Sequence, residues 1–215
     1  MTPDAYTPGI AYSRRYLYEF PQLQSGIRQL LSAAGIGENS GDDLFIYGSF
    51  VRALLTPTDM FGDVDLATTS PAARSRLQFL LQRPIRWSDP RSNVVRMIHC
   101  EVNAAWFRDV EVLLRSLGEF TVSGIVYSLQ DNSVWLHPNA MEHLATRMLR
   151  CPSPWETILP LKSLCRTFRY TNRGFRMTQA DLAVLYRAYR GRPWWRRWAE
   201  RVFVRRHFGR RLVSS

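Results

Sequence analysis

The spacing of apolar positions divides the first half of the chain into short strands and helices. Residues 21–37 repeat leucine and isoleucine at helical spacing and end on glycine, which predicts a helix. The apolar face of this helix comprises Leu23, Ile27, Leu30 and Leu31. The segment "LFIYG" (residues 44–48) is typical of a short strand, and "SFVRALLT" (residues 49–56) of a short helix that stops before Pro57. In "DVDLATT" (residues 63–69) acidic and apolar residues alternate, as in a half-buried strand.

The same pattern continues through the rest of the chain. Residues 70–82 predict a helix with Ser70 as its N-terminal cap and Pro71 as its first residue. Its apolar stripe comprises Leu77, Leu80 and Leu81. We predict further strands in residues 93–107 and 119–129, a turn and a strand in residues 131–138, and helices in residues 139–150 and from Pro160 to Gly174. Residues 1–20 have no clear period and are interpreted as an irregular arm.

We therefore expect a mixed α/β fold with two parts. Residues 1–150 form a catalytic-type domain with a mixed central sheet and flanking helices, and residues 151–215 form a helical region. With 215 residues, of which 46% are hydrophobic and 13% aromatic, the chain can bury a sizeable core, which excludes an intrinsically disordered protein.

The lack of a recognisable targeting signal and the use of cysteine predict a cytoplasmic protein. No run approaches ~20 apolar residues, and the N-terminus lacks the apolar region of a secretion signal. Cys100, Cys151 and Cys165 are odd in number and lack metal-ligand spacing, so we interpret them as buried free thiols in a reducing compartment.

The charge balance favours a polyanionic partner. The formal net charge is +11 and the isoelectric point is about 10.3. Nucleic acid is the first candidate for such a partner, ahead of a membrane surface. Lys162 is the only lysine, and an arginine-rich surface can also follow from a GC-rich gene, so charge alone leaves this alternative open.

The segment after Pro193 has the pattern of a basic amphipathic helix. It contains Trp194, Trp195 and Trp198, and Glu200 is its only acidic residue. Three interpretations remain open: RNA binding, in which arginines contact phosphates and tryptophans stack on bases; association with a membrane surface; or packing of the tryptophan face on the domain. The candidate RNA-binding residues are Arg173, Arg196, Arg197, Arg201, Arg205 and Arg206.

The candidate chemistry lies at Asp63 and Asp65. Residues two apart on a strand face the same side, so the two carboxylates meet and repel unless a cation lies between them. Mg²⁺, or alternatively Mn²⁺, suits such a pair, because it takes one or two carboxylates and fills its other positions with water and phosphate oxygens. Gly48 and Ser49 open the preceding helix, where free backbone N–H groups can bind a phosphate. The alternative is a surface strand with solvated aspartates.

These residues also carry a family resemblance. "IYGSFVRALL" followed by "GDVDLATTSP" resembles the active-site signature of polymerase-β-type nucleotidyltransferases, and most closely the head domain of class II CCA-adding enzymes and bacterial poly(A) polymerases. In that family a Gly-Gly or Gly-Ser turn and a helical arginine precede an Asp-x-Asp strand. The matching residues here are Gly48, Ser49, Arg52, Asp63 and Asp65.

Three later segments extend the resemblance to roughly residues 22–176. "EFTVSGIVYSL" resembles the family's Arg-Arg-Asp-Phe-Thr segment, with Glu119 in place of its aspartate. "LHPNAMEHLATRMLR" follows another family pattern, with His137 in place of an aspartate, and "RTFRYTNRGF" resembles the neck-helix run. The family's base-reading Glu-Asp-x-x-Arg motif is absent, and Lys162 is the only cation that an alignment supplies there. The body and tail domains by which the family holds tRNA lie beyond the resemblance.

Further candidates come from position in the predicted elements. His99 and Glu101 share a face of one strand; Glu101 is a candidate third catalytic carboxylate, whereas His99 is interpreted as structural. Arg52 can bind a phosphate or brace Asp63, or be a surface helix residue. Arg166, Arg169 and Arg173 follow helical spacing and form either one side of a nucleotide cleft or a solvated face. The candidate nucleotide-binding set is Gly48, Ser49, Arg52, Glu119, Arg147, Arg150, Lys162, Arg166 and Arg169.

The resemblance implies a template-independent nucleotidyltransferase. Such an enzyme uses Mg²⁺ to add nucleotides from a nucleoside triphosphate, ATP or CTP, to the 3′ end of a tRNA-like or other RNA, and Asp63 and Asp65 hold its metal. Two alternatives stay open. The same centre can modify a protein or a small molecule, as a toxin or defence enzyme does, or the protein can be a retired nucleotidyltransferase that binds RNA.

Overall fold

The computed structural model describes residues 12–37, 43–56, 61–89, 94–104, 110–152 and 159–212. The strands are β1 (Ser13–Tyr16), β2 (Phe45–Tyr47), β3 (Asp63–Thr68), β4 (Ile85–Ser88), β5 (Val95–Ala104), β6 (Val126–Ser128), β7 (Ser133–Leu136), β8 (Met148–Leu149) and β9 (Arg176–Met177). The helices are α1 (Pro21–Ala33), α2 (Ser49–Leu55), α3 (Pro71–Leu80), α4 (Val110–Leu117), α5 (Ala140–Ala145), α6 (Pro160–Thr171), α7 (Gln179–Arg190) and α8 (Trp194–Leu212).

Within the described residues, seven strands form one mixed sheet in the order β1-β7-β6-β2-β3-β5-β4. β3 and β5 run parallel, and the other neighbouring pairs in this sheet are antiparallel. The parallel pair needs a crossover, which α3 and β4 supply between the two strands. The predicted mixed α/β class is confirmed.

One face of the sheet packs on α1 and α2. The predicted apolar face of α1 is buried, as are Val64 and Leu66 of β3, which confirms the predicted alternation of β3. Ser70 caps α3 as predicted, because its hydroxyl accepts a hydrogen bond from Ala73 N–H at 3.3 Å. In the predicted stripe of α3, Leu77 and Leu81 are buried whereas Leu80 is 45% exposed.

The opposite face of the sheet is covered in part by α4. A second, smaller core joins Phe45 and Tyr47 of β2 and Ala67 of β3 to Leu113 and Leu114 of α4. Because side chains alternate along a strand, the face that carries Ala67 also carries Asp65 and Asp63. The two aspartates therefore lie further along the face that α4 covers only in part.

Several predictions of local structure are wrong. The predicted irregular arm contains β1, which pairs with β7 at the edge of the sheet, followed by a short 3-10 helix at Leu17–Glu19. The predicted strand at residues 119–129 begins only at Val126. In the preceding residues the Ser123 hydroxyl accepts from Phe120 N–H at 3.0 Å and donates to Leu117 O at 2.6 Å, which closes a turn.

A two-stranded sheet follows α5 along the chain. The predicted helix at residues 139–150 ends at Ala145, because Arg147 adopts a positive φ of 53° and Met148–Leu149 then pairs with Arg176–Met177 as β8 and β9. The predicted domain division near residue 150 falls between β8 and α6. In the part of the chain that the structure describes, no helix is long and apolar enough to cross a membrane.

The cysteines are free thiols, as predicted, but they are half-buried rather than buried. Burial raises the pKa of Cys100 to about 11 and, together with the nearby Asp181 carboxylate, that of Cys151 to about 12. Both thiols are therefore protonated and unreactive at neutral pH.

Candidate active site

The parallel pairing of β3 and β5 places Glu101 beside Asp65. In the register of the two strands Asp63 is opposite His99 and Asp65 is opposite Glu101. Side chains of paired residues project from the same face of a sheet, so all four lie on one face. The two aspartates are half-buried, while His99 and Glu101 are exposed. The prediction that His99 and Glu101 share a face is confirmed.

Asp65 lies in an electrostatically unfavourable place for a charged carboxylate. Burial, then the Asp63 carboxylate, then Glu101 together raise its pKa from 3.8 to about 6. The guanidinium groups of Arg166 and Arg52 oppose this rise without cancelling it. A carboxylate cluster of this kind favours a cation that neutralises it.

Gly48 allows the backbone of the β2–α2 turn to lie against Asp65. Its φ is +79°, a conformation that favours glycine, and it caps α2. A β-carbon at this position would stand 2.5 Å from Asp65 Oδ2. Ser49 is the first residue of α2 and is half-buried. The Gly-Ser turn and the Asp65 carboxylate thus lie directly against each other.

Arg52 is buried, so the alternative that it is a surface helix residue is wrong. Only 5% of it is exposed, and its guanidinium carbon lies 5.1 Å from the centre of the Tyr170 ring. Tyr170 belongs to α6 and also packs edge-on against Phe120 and Phe175. Arg52 therefore links α2, which begins at the Gly-Ser turn, to the helical part, while its charge acts on Asp65.

Glu119, Lys162 and Arg166 form a charged cluster near the carboxylates. Arg166 Nη1 donates to Glu119 Oε1 at 2.8 Å, and Lys162 Nζ lies 3.9 Å from the same oxygen. Glu119 is 4% exposed. Burial and the charge of Arg166 lower the pKa of Lys162, while Glu119 acts against them. The structure thus brings together three of the candidate nucleotide-binding residues and joins them into a bridge between the head and α6.

The remaining arginines of the candidate nucleotide-binding set lie apart from this cluster. Arg147 Nη1 donates to the carbonyl oxygen of Arg173 at 2.7 Å, and Arg150 Nε lies 3.3 Å from Asp181 Oδ2. Arg169 is exposed on α6, and Arg173 is exposed in the turn that follows α6. The stripe predicted for Arg166, Arg169 and Arg173 is not one helical face, because Arg173 lies beyond Thr171, the last residue of α6.

Helix α8 exposes its tryptophans, so the predicted packing of the tryptophan face on the domain is wrong. The exposed fractions of Trp194, Trp195 and Trp198 are 73%, 52% and 63%. The residues that α8 buries instead are Glu200 and Val204, which lie on the opposite side of the helix. The helix packs on α6 through this small buried side.

The five candidate RNA-binding arginines of α8 divide into two groups. Arg197 is half-buried, and Arg201, although exposed, donates from Nε to the Tyr189 hydroxyl at 2.8 Å, so both contact the protein. Arg205 and Arg206 are exposed, and the Arg196 guanidinium lies 5.0 Å from the centre of the Trp195 ring. The candidate RNA-binding residues of α8 are thus only partly directed to solvent.

Glu200 is a residue that sequence reasoning did not assign. It is 3% exposed, and its Oε1 accepts hydrogen bonds from Leu161 N–H at 2.6 Å and Lys162 N–H at 3.3 Å. These are donors of the first turn of α6, which has no cap of its own. The signal in the sequence was that Glu200 is the only acidic residue of a basic helix.

The donor set at Asp63 and Asp65 fits a hard divalent cation. Their oxygens are ligands that Mg²⁺ prefers, Glu101 adds negative charge beside them, and burial together with the neighbouring carboxylates raises the pKa of Asp65 in spite of Arg166 and Arg52. Within the described residues no group of three or more histidine, cysteine, aspartate or glutamate side chains is arranged to hold a metal ion by itself. Mg²⁺ commonly uses only one or two carboxylates and takes its other ligands from water and phosphates.

Known structures with a similar fold include CCA-adding enzymes. No protein-family model and no curated protein matches the chain. The CCA-adding enzyme of Thermotoga maritima complexed with tRNA is 15% identical with a TM-score of 0.53, and the match covers 82% of this chain and 46% of that one. A CCA-adding enzyme in complex with CTP is 15% identical with a TM-score of 0.52, and this match covers 81% of the present chain and 46% of the enzyme. The chain spans about half the length of these structures and has a nucleotidyltransferase-like fold.

Proposed function

We propose that the protein is a nucleotidyltransferase that adds nucleotides from ATP or CTP to the 3′ end of an RNA without a template. The observation that carries this proposal is the register of β3 and β5, which sets Glu101 beside Asp65 on the face that also carries Asp63. The fold supports it, since the CCA-adding enzymes to which the chain is similar include structures with tRNA and with CTP.

In this proposal Asp63 and Asp65 bind Mg²⁺ through their carboxylate oxygens. The ion supplies charge neutralisation at the triphosphate and at the transferred α-phosphoryl group. The Gly48-Ser49 turn binds the triphosphate through the first N–H groups of α2, and Gly48 allows this turn to lie directly against Asp65. Arg52 adds positive charge from beneath the turn, where its own position is fixed by Tyr170.

Glu101 acts on the attacking group in this mechanism. The 3′-hydroxyl oxygen of the RNA forms a bond to the α-phosphorus, the bond from that phosphorus to the bridging oxygen breaks, and pyrophosphate leaves with the electron pair. The proton of the hydroxyl passes to a carboxylate oxygen of Glu101, which is exposed and therefore accessible to an acceptor. Arg166 and Lys162 belong to α6, pair with Glu119 and form the α6 side of the site.

The proposal is tested by transfer of label. The full-length protein is incubated with Mg²⁺, total RNA and each α-labelled nucleoside triphosphate in turn, and the products are separated on a denaturing gel. We expect label from ATP or CTP on RNA 3′ ends, and no label with Asp63→Asn or Asp65→Asn. Label on a protein or a small molecule in cell extract identifies a different acceptor, and absence of label in every reaction contradicts the proposal.

A further inference from the structure

The exposed side of α8 combines aromatic rings and positive charge. At about 100° per residue, Trp194, Trp198 and Arg205 fall within about 40° of one another, and Trp195 and Arg206 lie next to them. All five are exposed. We call these five residues the tryptophan face. It lies opposite Glu200 and Val204, through which α8 packs on the protein.

Exposure of this much aromatic surface to water is energetically unfavourable, which indicates that a partner covers it. Each tryptophan exposes more than half of its surface, and adjacent exposed aromatic residues commonly mark a binding surface. The face has no negative charge, because Glu200, the only acidic residue of the helix, is buried on the other side. Arg205 lies about 10 Å along the helix axis from Trp198, so rings and guanidinium groups contact different parts of one ligand.

We propose that the tryptophan face is a docking surface for single-stranded RNA. A single strand presents unpaired base faces that stack on tryptophan, and phosphates that pair with arginine, whereas a duplex hides its base faces. A helix that lies on a membrane needs apolar residues along its whole exposed side. Here the tryptophans occupy only the first turns, and Arg205 and Arg206 follow on the same side, which favours the nucleic acid.

The position of α8 connects this surface to the catalytic centre. Glu200 fixes α8 to the first turn of α6, where it accepts from Leu161 and Lys162 N–H. One turn further along α6, Arg166 pairs with Glu119 and its charge acts on Asp65. A strand bound on the tryptophan face is therefore attached to the helix that borders the carboxylates. That this strand is the acceptor of the reaction rests on the proposed function, whereas its binding does not.

Binding is measured on the full-length protein with a fluorescein-labelled 12-nucleotide oligo(A) RNA and with the same strand in a blunt duplex. We expect the single strand to bind more tightly and to quench tryptophan fluorescence. The variant Trp194→Ala/Trp198→Ala should weaken binding by at least tenfold, since one stacked base contributes ~1–3 kcal/mol. Arg205→Gln/Arg206→Gln should reduce the slope of log affinity against log salt by about 1.4.

The matched control is Phe79→Ala/Arg83→Gln, which removes an exposed ring and an exposed cation from the region of α3. It should bind the strand as the unaltered protein does, and the thermal midpoints of all variants should agree. Equal affinity for strand and duplex, or normal binding by the tryptophan variant, overturns the docking surface. So does a tryptophan-dependent affinity for phosphatidylserine vesicles or for a second copy of the chain in place of RNA.

The catalytic variant Asp63→Asn/Asp65→Asn separates this inference from the proposed function. It should bind the single strand normally and transfer no nucleotide. If the unaltered protein binds RNA through the tryptophans but never transfers a nucleotide, the proposed function fails and the docking surface stands. If it transfers nucleotides and the tryptophan variant does so with an unchanged KM for RNA, the docking surface fails and the proposed function stands.

Discussion

Gly48 and Asp65 lie so close together that a β-carbon on Gly48 would stand 2.5 Å from the Asp65 carboxylate oxygen Oδ2. The glycine belongs to the turn that opens α2, and the aspartate to the neighbouring strand β3. Contact between backbone and carboxylate is possible only because the glycine has no side chain and tolerates a φ of +79°. The turn and the carboxylates consequently depend on each other's position.

This contact predicts that Gly48→Ala damages both stability and transfer. The added methyl displaces Asp65, and the positive φ is strained for alanine, so we expect a loss of ~1–3 kcal/mol in the free energy of unfolding. Nucleotide transfer should fall by at least tenfold. Gly62→Ala is the control, because no atom outside its two chain neighbours lies within 4 Å of its added β-carbon. Chemical denaturation and the labelled-nucleotide assay measure the two effects; similar behaviour of the two variants would contradict the contact.

Glu101 should matter for the reaction and little for the fold. Its side chain is exposed, so Glu101→Gln should leave the thermal midpoint unchanged, whereas loss of the proton acceptor should lower kcat by roughly 10²–10⁴-fold. His99→Gln alters the neighbouring exposed residue on the same strand and face and serves as the control. A Glu101→Gln enzyme with normal kcat would assign the proton to another group.

The raised pKa of Asp65 predicts that metal binding weakens in mild acid. The ion binds the charged carboxylate, so affinity for Mg²⁺ or Mn²⁺ should be nearly constant above pH 7 and fall as the pH drops through about 6. Titration calorimetry at several pH values measures this. Asp131→Asn, which removes an exposed carboxylate next to Arg14, is the control and should leave the profile unchanged. A metal affinity that stays constant from pH 7.5 to 5 would contradict the assignment.

The same carboxylate should limit stability when no metal is bound. The pKa of Asp65 is about 6 in the folded protein and 3.8 ordinarily, so the folded state favours the protonated carboxyl. This preference adds to the free energy of unfolding below pH 3.8 and is lost as the pH rises through 6. In the presence of a chelator, Asp65→Asn should therefore be more stable than the unaltered protein at pH 8, by ~1–3 kcal/mol. The difference should shrink at pH 4.5. Denaturation curves at the two pH values decide this.

Glu200 should hold α8 on α6. Glu200→Ala removes the acceptor of two N–H groups in the first turn of α6, for which we expect a loss of ~1–3 kcal/mol. Glu200→Gln should cost less, because it keeps an acceptor oxygen and removes a charge whose burial raises the pKa of this carboxyl. Glu142→Ala alters an exposed glutamate in the first turn of α5 and is the control. Equal losses for the alanine and glutamine variants would mean that the charge itself is required.

The sequence predicts most of the elements of the head because their signals are local. The apolar face of α1, the cap of α3 and the alternation of β3 each depend on neighbouring residues of one segment. The prediction fails at residues 119–125, whose apolar composition is typical of a strand. These residues are buried because the turn closed by Ser123 lies within the core, and burial of a turn gives no periodic signal.

By itself, then, the sequence determined that Asp63 and Asp65 share a face and that a Gly-Ser turn opens the preceding helix, since backbone geometry fixes both within a few residues. Only the tertiary structure decided that β3 lies parallel to β5 with Glu101 beside Asp65, that Arg166 pairs with Glu119, and that α8 buries Glu200 and exposes its tryptophans. Strand pairing and the choice of a buried helix side depend on packing between segments distant in sequence. Helix α8 carries both apolar and charged residues on more than one side, so its pattern alone could not select the side that packs.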